Sequence, residues 1–314
     1  MENAQEQHVV IGTGPLGQAV IRELLARGKQ VRAVNRHGQA DLPNAVEVVA
    51  GNATDAASMA NVCAGATVVY GCVGLPYTDW VEGFPPVMDG LIAGAASAEA
   101  KLVFGDNLYA YGRVNDSIHE GLPNQAHTRK GRVRAQIAET LLQAHRDGKV
   151  RTVIGRGSDF YGPGVTNSAV GERVMTNALA GKAADFIGDL DQPHTYTYID
   201  DFGKALVNLG ESEAALGQIW HVPNAKTITS RAFIKQVYAQ AGNPPKVNVL
   251  PNWLLSLLAL FSPMMRELKE MTYEFDEPFI VDDSKYTAAF GDHPATPVEE
   301  GIRHTLEWYR ARDH

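Results

Sequence analysis

Apolar runs and helical periods alternate along the first half of the chain. Residues 8–11, 31–34, 46–51, 67–74, 101–105 and 150–154 are short, mostly apolar stretches bounded by Gly, Asn or Asp, and they predict six strands. Between them lie helical patterns. Val20, Ile21, Leu24 and Leu25 share one face of the first, with Gly28 placed for a left-handed C-terminal cap. A helix is expected over 86–100, and another from Thr128, with Val133, Ile137, Ala138, Leu141 and Leu142 as its apolar stripe. Strands alternating with helices predict an α/β fold with a parallel, doubly wound sheet. The second half loses that alternation. Helices are expected near 169–181, 202–210, 230–242, 253–271 and 298–310, with a short strand over 218–222.

The first strand runs directly into Gly12-Thr13-Gly14-Pro15-Leu16-Gly17 and then into a helix. Gly12 permits the tight turn, Gly14 lets backbone approach a pyrophosphate, and Gly17 lets the helix pack on the strand. Unpaired N–H groups and the helix dipole supply the attraction for phosphate. This strand–loop–helix order predicts dinucleotide binding by Gly12, Thr13, Gly14, Pro15, Leu16 and Gly17. The second strand ends in Asn35-Arg36-His37, where an NAD site places an acid for the ribose 2′-hydroxyl. Arg36 could instead pair with a 2′-phosphate, so NADP is favoured, with NAD as the alternative if Arg36 is a solvated loop charge.

Composition narrows the remaining possibilities. The 314 residues are 45% hydrophobic and 20% charged, with a net charge of −8, which offers no broad nucleic-acid-binding surface. Two cysteines, Cys63 and Cys72, give neither a disulfide framework nor metal-ligand spacing. The opening residues are polar and acidic, unlike a targeting peptide, and the apolar run 253–261 is too short to span a bilayer. A cytoplasmic enzyme without metal, nucleic-acid or membrane partners is the expectation.

Further motifs follow in order: Gly51 through Asp55, Tyr111-Gly112, Arg156 to Gly164, Tyr198-Ile199-Asp200-Asp201-Phe202, Trp220-His221-Val222-Pro223 and Thr296 to Gly301. Together with the glycine loop they resemble the extended short-chain dehydrogenase/reductase superfamily, the NAD-dependent epimerase/dehydratase group. The resemblance implies a Rossmann-type domain, taken as 1–165, and a smaller C-terminal substrate lobe, 166–314. Segments near 194–222 would return to the first domain, and a cleft would hold the site. It also implies cofactor contacts from Asn35, Arg36, Asn52, Val73, Gly74, Ser158 and Phe160, and a homodimer.

The family's chemistry rests on a Tyr followed four residues later by Lys on one helical face. No tyrosine here has lysine at that spacing, and the expected helix reads His127-Thr128-Arg129-Lys130-Gly131-Arg132-Val133-Arg134. Asn107 stands where the family has serine. Tyr109 is the candidate proton donor, with Asn107 and Lys130 orienting the substrate; Tyr111 reads as structural. Lys130 and Arg134 share a face and could meet an anion, or the four cations could be a solvated face. Asp106 is either a general base or a turn cap. His194 and His221 are isolated and read as structural.

In the C-terminal half, 253–261 with Met264, Met265, Leu268 and Met271 is apolar, and Ser262-Pro263 reads as an N-cap with proline at the first helical position. This stretch is either part of an apolar substrate site, lobe core or a subunit contact. The leading expectation is an NAD(P)(H)-dependent oxidoreductase acting on a carbonyl or alcohol of a small apolar or aromatic substrate. A sugar-nucleotide epimerase or dehydratase is the alternative enzyme, and a non-catalytic NADP(H)-binding sensor or scaffold the alternative of another class.

Overall fold

The computed structural model describes residues 6–291 and 295–312. The polar opening, residues 1–5, lies outside the described residues. In chain order the elements are β1 (Gln7–Ile11), α1 (Pro15–Ala26), β2 (Gln30–Asn35), β3 (Val46–Ala50), α2 (Ala56–Val62), β4 (Ala66–Gly71), α3 (Trp80–Ser97), β5 (Lys101–Asp106), α4 (Arg129–Arg146) and β6 (Arg151–Arg156). Then follow β7 (Asp159–Tyr161), α5 (Glu172–Leu179), β8 (Ala184–Ile187), β9 (Pro193–His194), β10 (Tyr196–Tyr198), α6 (Ile199–Glu211) and β11 (Ile219–His221). The chain closes with β12 (Ile228–Thr229), α7 (Ser230–Ala241), β13 (Val247–Leu250), α8 (Asn252–Phe261), α9 (Pro263–Met271), α10 (Tyr273–Asp276), α11 (Ser284–Phe290) and α12 (Val298–Arg312).

Two compact units divide these elements. The first comprises Met1–Ala110, Arg129–Gly157 and Phe202–Val222; the second Tyr111–Thr128, Ser158–Asp201 and Pro223–His314. Residues 111–128 and 158–165, expected in the Rossmann domain, thus belong to the second unit. The returning segment is 202–222, while 194–201 stay behind because Tyr196–Tyr198 pair in parallel with Asp159–Tyr161.

The first unit is a seven-stranded sheet of order β11-β6-β5-β4-β1-β2-β3 with every pair parallel. The order reverses beside β1, between β4 and β2, and ligands of open α/β sheets bind at such a switch point, outside the strands' carboxyl ends. Val9, Val10, Val69, Leu102, Val103, Phe104 and Val153 are fully buried, as strands covered on both faces require. In the second unit, Tyr161, Val174, Met175, Phe233, Val237, Tyr238, Leu306 and Tyr309 form the core, with short pairs β8–β13, β7–β10 and β9–β12 around it.

Two elements differ from the expectation. The helix placed at 86–100 begins six residues earlier, at Trp80, and carries Pro85 and Pro86 inside it. Each proline forfeits a helical hydrogen bond; burial of Trp80 and Phe84 on the same helix offsets that loss. The segment 253–271 is two helices, broken at Ser262. Pro263 drives Ser262 into an extended conformation (φ −122°, ψ 118°), from which its hydroxyl caps α9 by accepting from Met265 N–H. The fourth strand stops at Gly71 rather than Gly74.

Candidate functional site

The glycine loop is built by steric necessity. Gly12 has φ +103°, and a Cβ on it would lie 2.5 Å from the Cys72 carbonyl oxygen. A Cβ on Gly17 would fall 1.9 Å from the Gly12 carbonyl oxygen. A Cβ on Gly14, by contrast, would meet nothing within 4 Å. Gly14 is the N-cap of α1, Pro15 occupies the first turn, and neither a side-chain cap nor an acidic residue neutralises that helix end. Open space in front of uncapped N–H groups fits a pyrophosphate. Leu16 turns inward instead, packing where Gly105 of β5 leaves room for its methyl.

At the end of β2, the Asn35 amide donates to Thr13 Oγ1 (3.0 Å) and to the Gln39 carbonyl (2.8 Å), while its oxygen accepts from His37 and Gly38 N–H. Its hydrogen-bonding capacity is used in tying this loop to the glycine loop, so it acts as scaffold. Arg36 beside it is exposed. The Asn52 side chain likewise closes its own turn, accepting from Thr54, and Asp55 caps α2 by accepting from Ala57 and Ser58 N–H. Val73 and Gly74 follow β4, and a Cβ on Gly74 would also meet open space.

Ser158 and Phe160, expected at the cofactor, lie in the second unit. Ser158 is buried: its hydroxyl donates to the Thr195 carbonyl (2.6 Å), and its N–H donates to Thr197 Oγ1 (2.8 Å). That side chain holds the second unit's own backbone and has no donor left for a ligand. Phe160 pairs in register with Thr197.

The candidate catalytic groups come together at the carboxyl ends of β4 and β5. A single 3-10 turn, Tyr109–Tyr111, follows β5, and Asn107 Oδ1 accepts from Tyr109 N–H at 3.2 Å, so Asn107 shapes that turn. A second such turn, Tyr77–Asp79, precedes α3. It presents the Tyr77 hydroxyl 2.9 Å from the Tyr109 hydroxyl. Lys130, in the first turn of α4, is buried with Nζ 5.1 Å from the Tyr77 ring centroid. Two hydrogen-bonded phenols beside an ammonium can pass a proton from one oxygen to the other, and the cation stabilises the charge that a departing proton leaves.

Beneath this pair lies an ion cluster. Asp106 has a fully buried carboxylate that accepts from Arg134 Nη1 (3.3 Å) and Arg156 Nε (3.0 Å). It is therefore the counter-ion of two guanidiniums, neither a general base nor a turn cap. Burial pushes the Arg134 pKa down, and Asp106 opposes this. The Arg134 guanidinium lies 4.2 Å from the Trp80 ring centroid and 4.0 Å from that of Phe84, and Trp80 stacks on Tyr109. Of the four cations at the start of α4, then, Lys130 and Arg134 are buried while Arg129 and Arg132 are exposed; only half of the expected solvated face exists.

Tyr77 and Trp80 escaped the sequence reading, since neither stands near the family's motif. The available signal was their place directly after a strand of the parallel sheet. In the second unit, His194 is bonded to Asp159 (2.9 Å) and to the Glu274 carbonyl (3.1 Å), and stacks between Phe275 and Phe279. Among the described residues no group of His, Cys, Asp and Glu could hold a metal ion, and no helix is long and apolar enough to cross a membrane.

Comparison with known proteins places this architecture. A dTDP-glucose 4,6-dehydratase of Escherichia coli is 27% identical over 167 residues, covering 51% of this chain and 41% of that protein. The chain thus matches less than half the length of such relatives. A 2-alkyl-3-oxoalkanoate reductase of Stenotrophomonas maltophilia is 25% identical over 325 aligned positions, 93% of this chain and 96% of that one. Among solved structures, UDP-glucuronic acid 4-epimerase of Bacillus cereus, in complex with NAD, superposes with a TM-score of 0.78 at 17% identity, over 97% of this chain and 96% of that one, which shows a shared fold. The model of the NAD dependent epimerase/dehydratase family matches residues 9–222, and the chain belongs to that family.

Proposed function

We propose that this chain is a pyridine-dinucleotide-dependent enzyme that moves a hydride between the nicotinamide and a carbonyl or alcohol carbon of a small molecule, with the Tyr77–Tyr109 pair as its proton relay. The observation that carries this reading is the 2.9 Å contact between the two phenols beside buried Lys130. The glycine loop from Gly12 to Gly17 would hold the pyrophosphate, and Arg36 a ribose 2′-phosphate, which favours NADP over NAD. Bound there, the nicotinamide supplies or accepts the hydride. In the reducing direction Tyr109 donates its phenolic proton to the substrate oxygen and recovers one from Tyr77. Lys130 stabilises the transient phenolate, and the Asn107 amide can donate to the same substrate oxygen.

For the substrate, the family match and the E. coli dehydratase support a sugar nucleotide, with epimerisation or dehydration as the outcome. A second reading, reduction of an apolar carbonyl compound, is favoured by the near full-length match to the 2-alkyl-3-oxoalkanoate reductase. Single-turnover absorbance at the reduced-nicotinamide band separates them. NADPH is mixed with a panel of aldehydes, ketones and 3-oxo acids, and NADP+ with UDP- and dTDP-sugars. Tyr109→Phe should lower the rate of hydride transfer by about 10²- to 10⁴-fold with little change in dinucleotide affinity. Tight dinucleotide binding with no turnover of any compound, and no effect of Tyr109→Phe, would sustain the binding-sensor reading instead.

A further inference from the structure

Water-soluble surfaces scatter their large apolar side chains, whereas this chain concentrates them. Of the large apolar residues exposed among the described residues, all but Val81 lie between 249 and 264: Val249, Trp253, Leu257, Leu258, Leu260, Phe261 and Met264. Trp253 and Leu260 are each 69% exposed and Phe261 82%. The pattern is the reverse of a water-facing helix. Leu255 and Ala259, four apart, are the buried positions of α8, while Trp253, Leu257, Leu260 and Phe261 form a stripe at three- and four-residue spacing on the outside.

The most exposed charges on α8 and α9 are cations, although the Asp276 carboxylate lies 3.4 Å from the Asn252 amide at the start of α8 and Glu270 is half-buried. The charged residues of α8 and α9 are Arg266, Glu267, Lys269 and Glu270, and the two exposed ones are the cations Arg266 and Lys269. Arg266 Nε reaches back to the Ala259 carbonyl (3.4 Å), which sets that cation beside the apolar helix. An apolar stripe carrying a tryptophan, with two exposed cations beside it, is locally complementary to an anionic lipid surface, against the repulsion of a chain whose net charge is −8. With its 10 residues α8 is about 15 Å long, half a bilayer's hydrocarbon thickness, so the expectation that this run cannot span a membrane holds. Lying in the headgroup plane needs no span.

We propose that the α8–α9 face docks the protein on the surface of an anionic bilayer, with Trp253, Leu257, Leu260 and Phe261 entering the headgroup–acyl boundary and Arg266 and Lys269 meeting acidic headgroups. Co-sedimentation of the full chain with phosphatidylcholine–phosphatidylserine vesicles tests this. The protein should pellet, less so with phosphatidylcholine alone, and Trp253 emission should shift to the blue, a shift absent in Trp253→Phe. The double variant Leu257→Glu/Leu260→Glu should lower vesicle partitioning by at least about tenfold, while its melting temperature and dinucleotide titration match the parent's. Failure to pellet overturns the proposal, as does pelleting that the double variant retains. So does self-association in solution that the double variant abolishes, since the face would then belong to a second copy.

Discussion

Lys130 and Arg134 stand at i and i+4 on α4, near the position where the family's proton-transfer pair is expected, and the structure buries both. Four cations in six residues look alike in a sequence; only the helix's placement separates them, because 130 and 134 share the side that carries Val133, Ile137 and Ala138 into the core. Tyr109, Asn107 and Lys130 could be named from motif position. Tyr77 could not, since 32 residues separate it from Tyr109 and the adjacency of β4 and β5 brings them together. At the end of β2, Asn35 is consumed by four hydrogen bonds, so the proposed contact with a 2′-phosphate rests on exposed Arg36. Arg36→Ala should therefore weaken NADPH binding by about ten- to a hundredfold, as loss of a charged hydrogen bond implies, and leave NADH within about twofold by calorimetry. In the second unit, burial, with the Asp159 charge adding to it, pushes the Glu274 carboxyl well above its ordinary 4.5. The folded state then holds a proton that the unfolded chain releases. This contribution to stability is fully present below pH 4.5 and is lost as pH rises through the folded value. Urea unfolding at a series of pH values should show Glu274→Gln with a flatter alkaline decline than the parent; equal slopes would count against it.

Elements were legible where local pattern and tertiary context agree. The strands β1, β2 and β3, the cap at Ser262, and Gly28 at φ +69° all follow from residue type at known offsets. The start of α3 was not legible, since Pro85-Pro86 reads as a helix beginning and only burial of Trp80 and Phe84 outweighs it. The glycine loop offers a contrast that isolates binding from folding. Gly17→Ala forces a Cβ to within 1.9 Å of the Gly12 carbonyl oxygen and should destabilise by about 1–3 kcal/mol. Gly14→Ala meets open space and, because alanine caps a helix less well than glycine, should lower the melting temperature by only about 1–3 °C while lowering dinucleotide affinity at least about tenfold. Thermal melts paired with fluorescence titration check both. A Gly14→Ala protein that binds as the parent does would mean that the pyrophosphate does not lie against this loop.

For the whole molecule, binding energy and stability are linked. A dinucleotide that associates with the folded first unit alone should stabilise it by about 2.7 kcal/mol at a hundred times its Kd. Differential scanning fluorimetry with and without NADPH measures this, and an unshifted transition at saturating ligand would remove the binding premise. By itself the sequence determined the order of strands and helices, the glycine loop and the family, because these rest on side-chain period and on backbone conformations that only certain residues adopt. Tertiary structure alone decided three things: which cations are buried, that Asp106 serves two arginines, and that the apolar face of α8 points outward. A sequence lists apolar side chains, but what they face is set by packing between residues far apart in the chain.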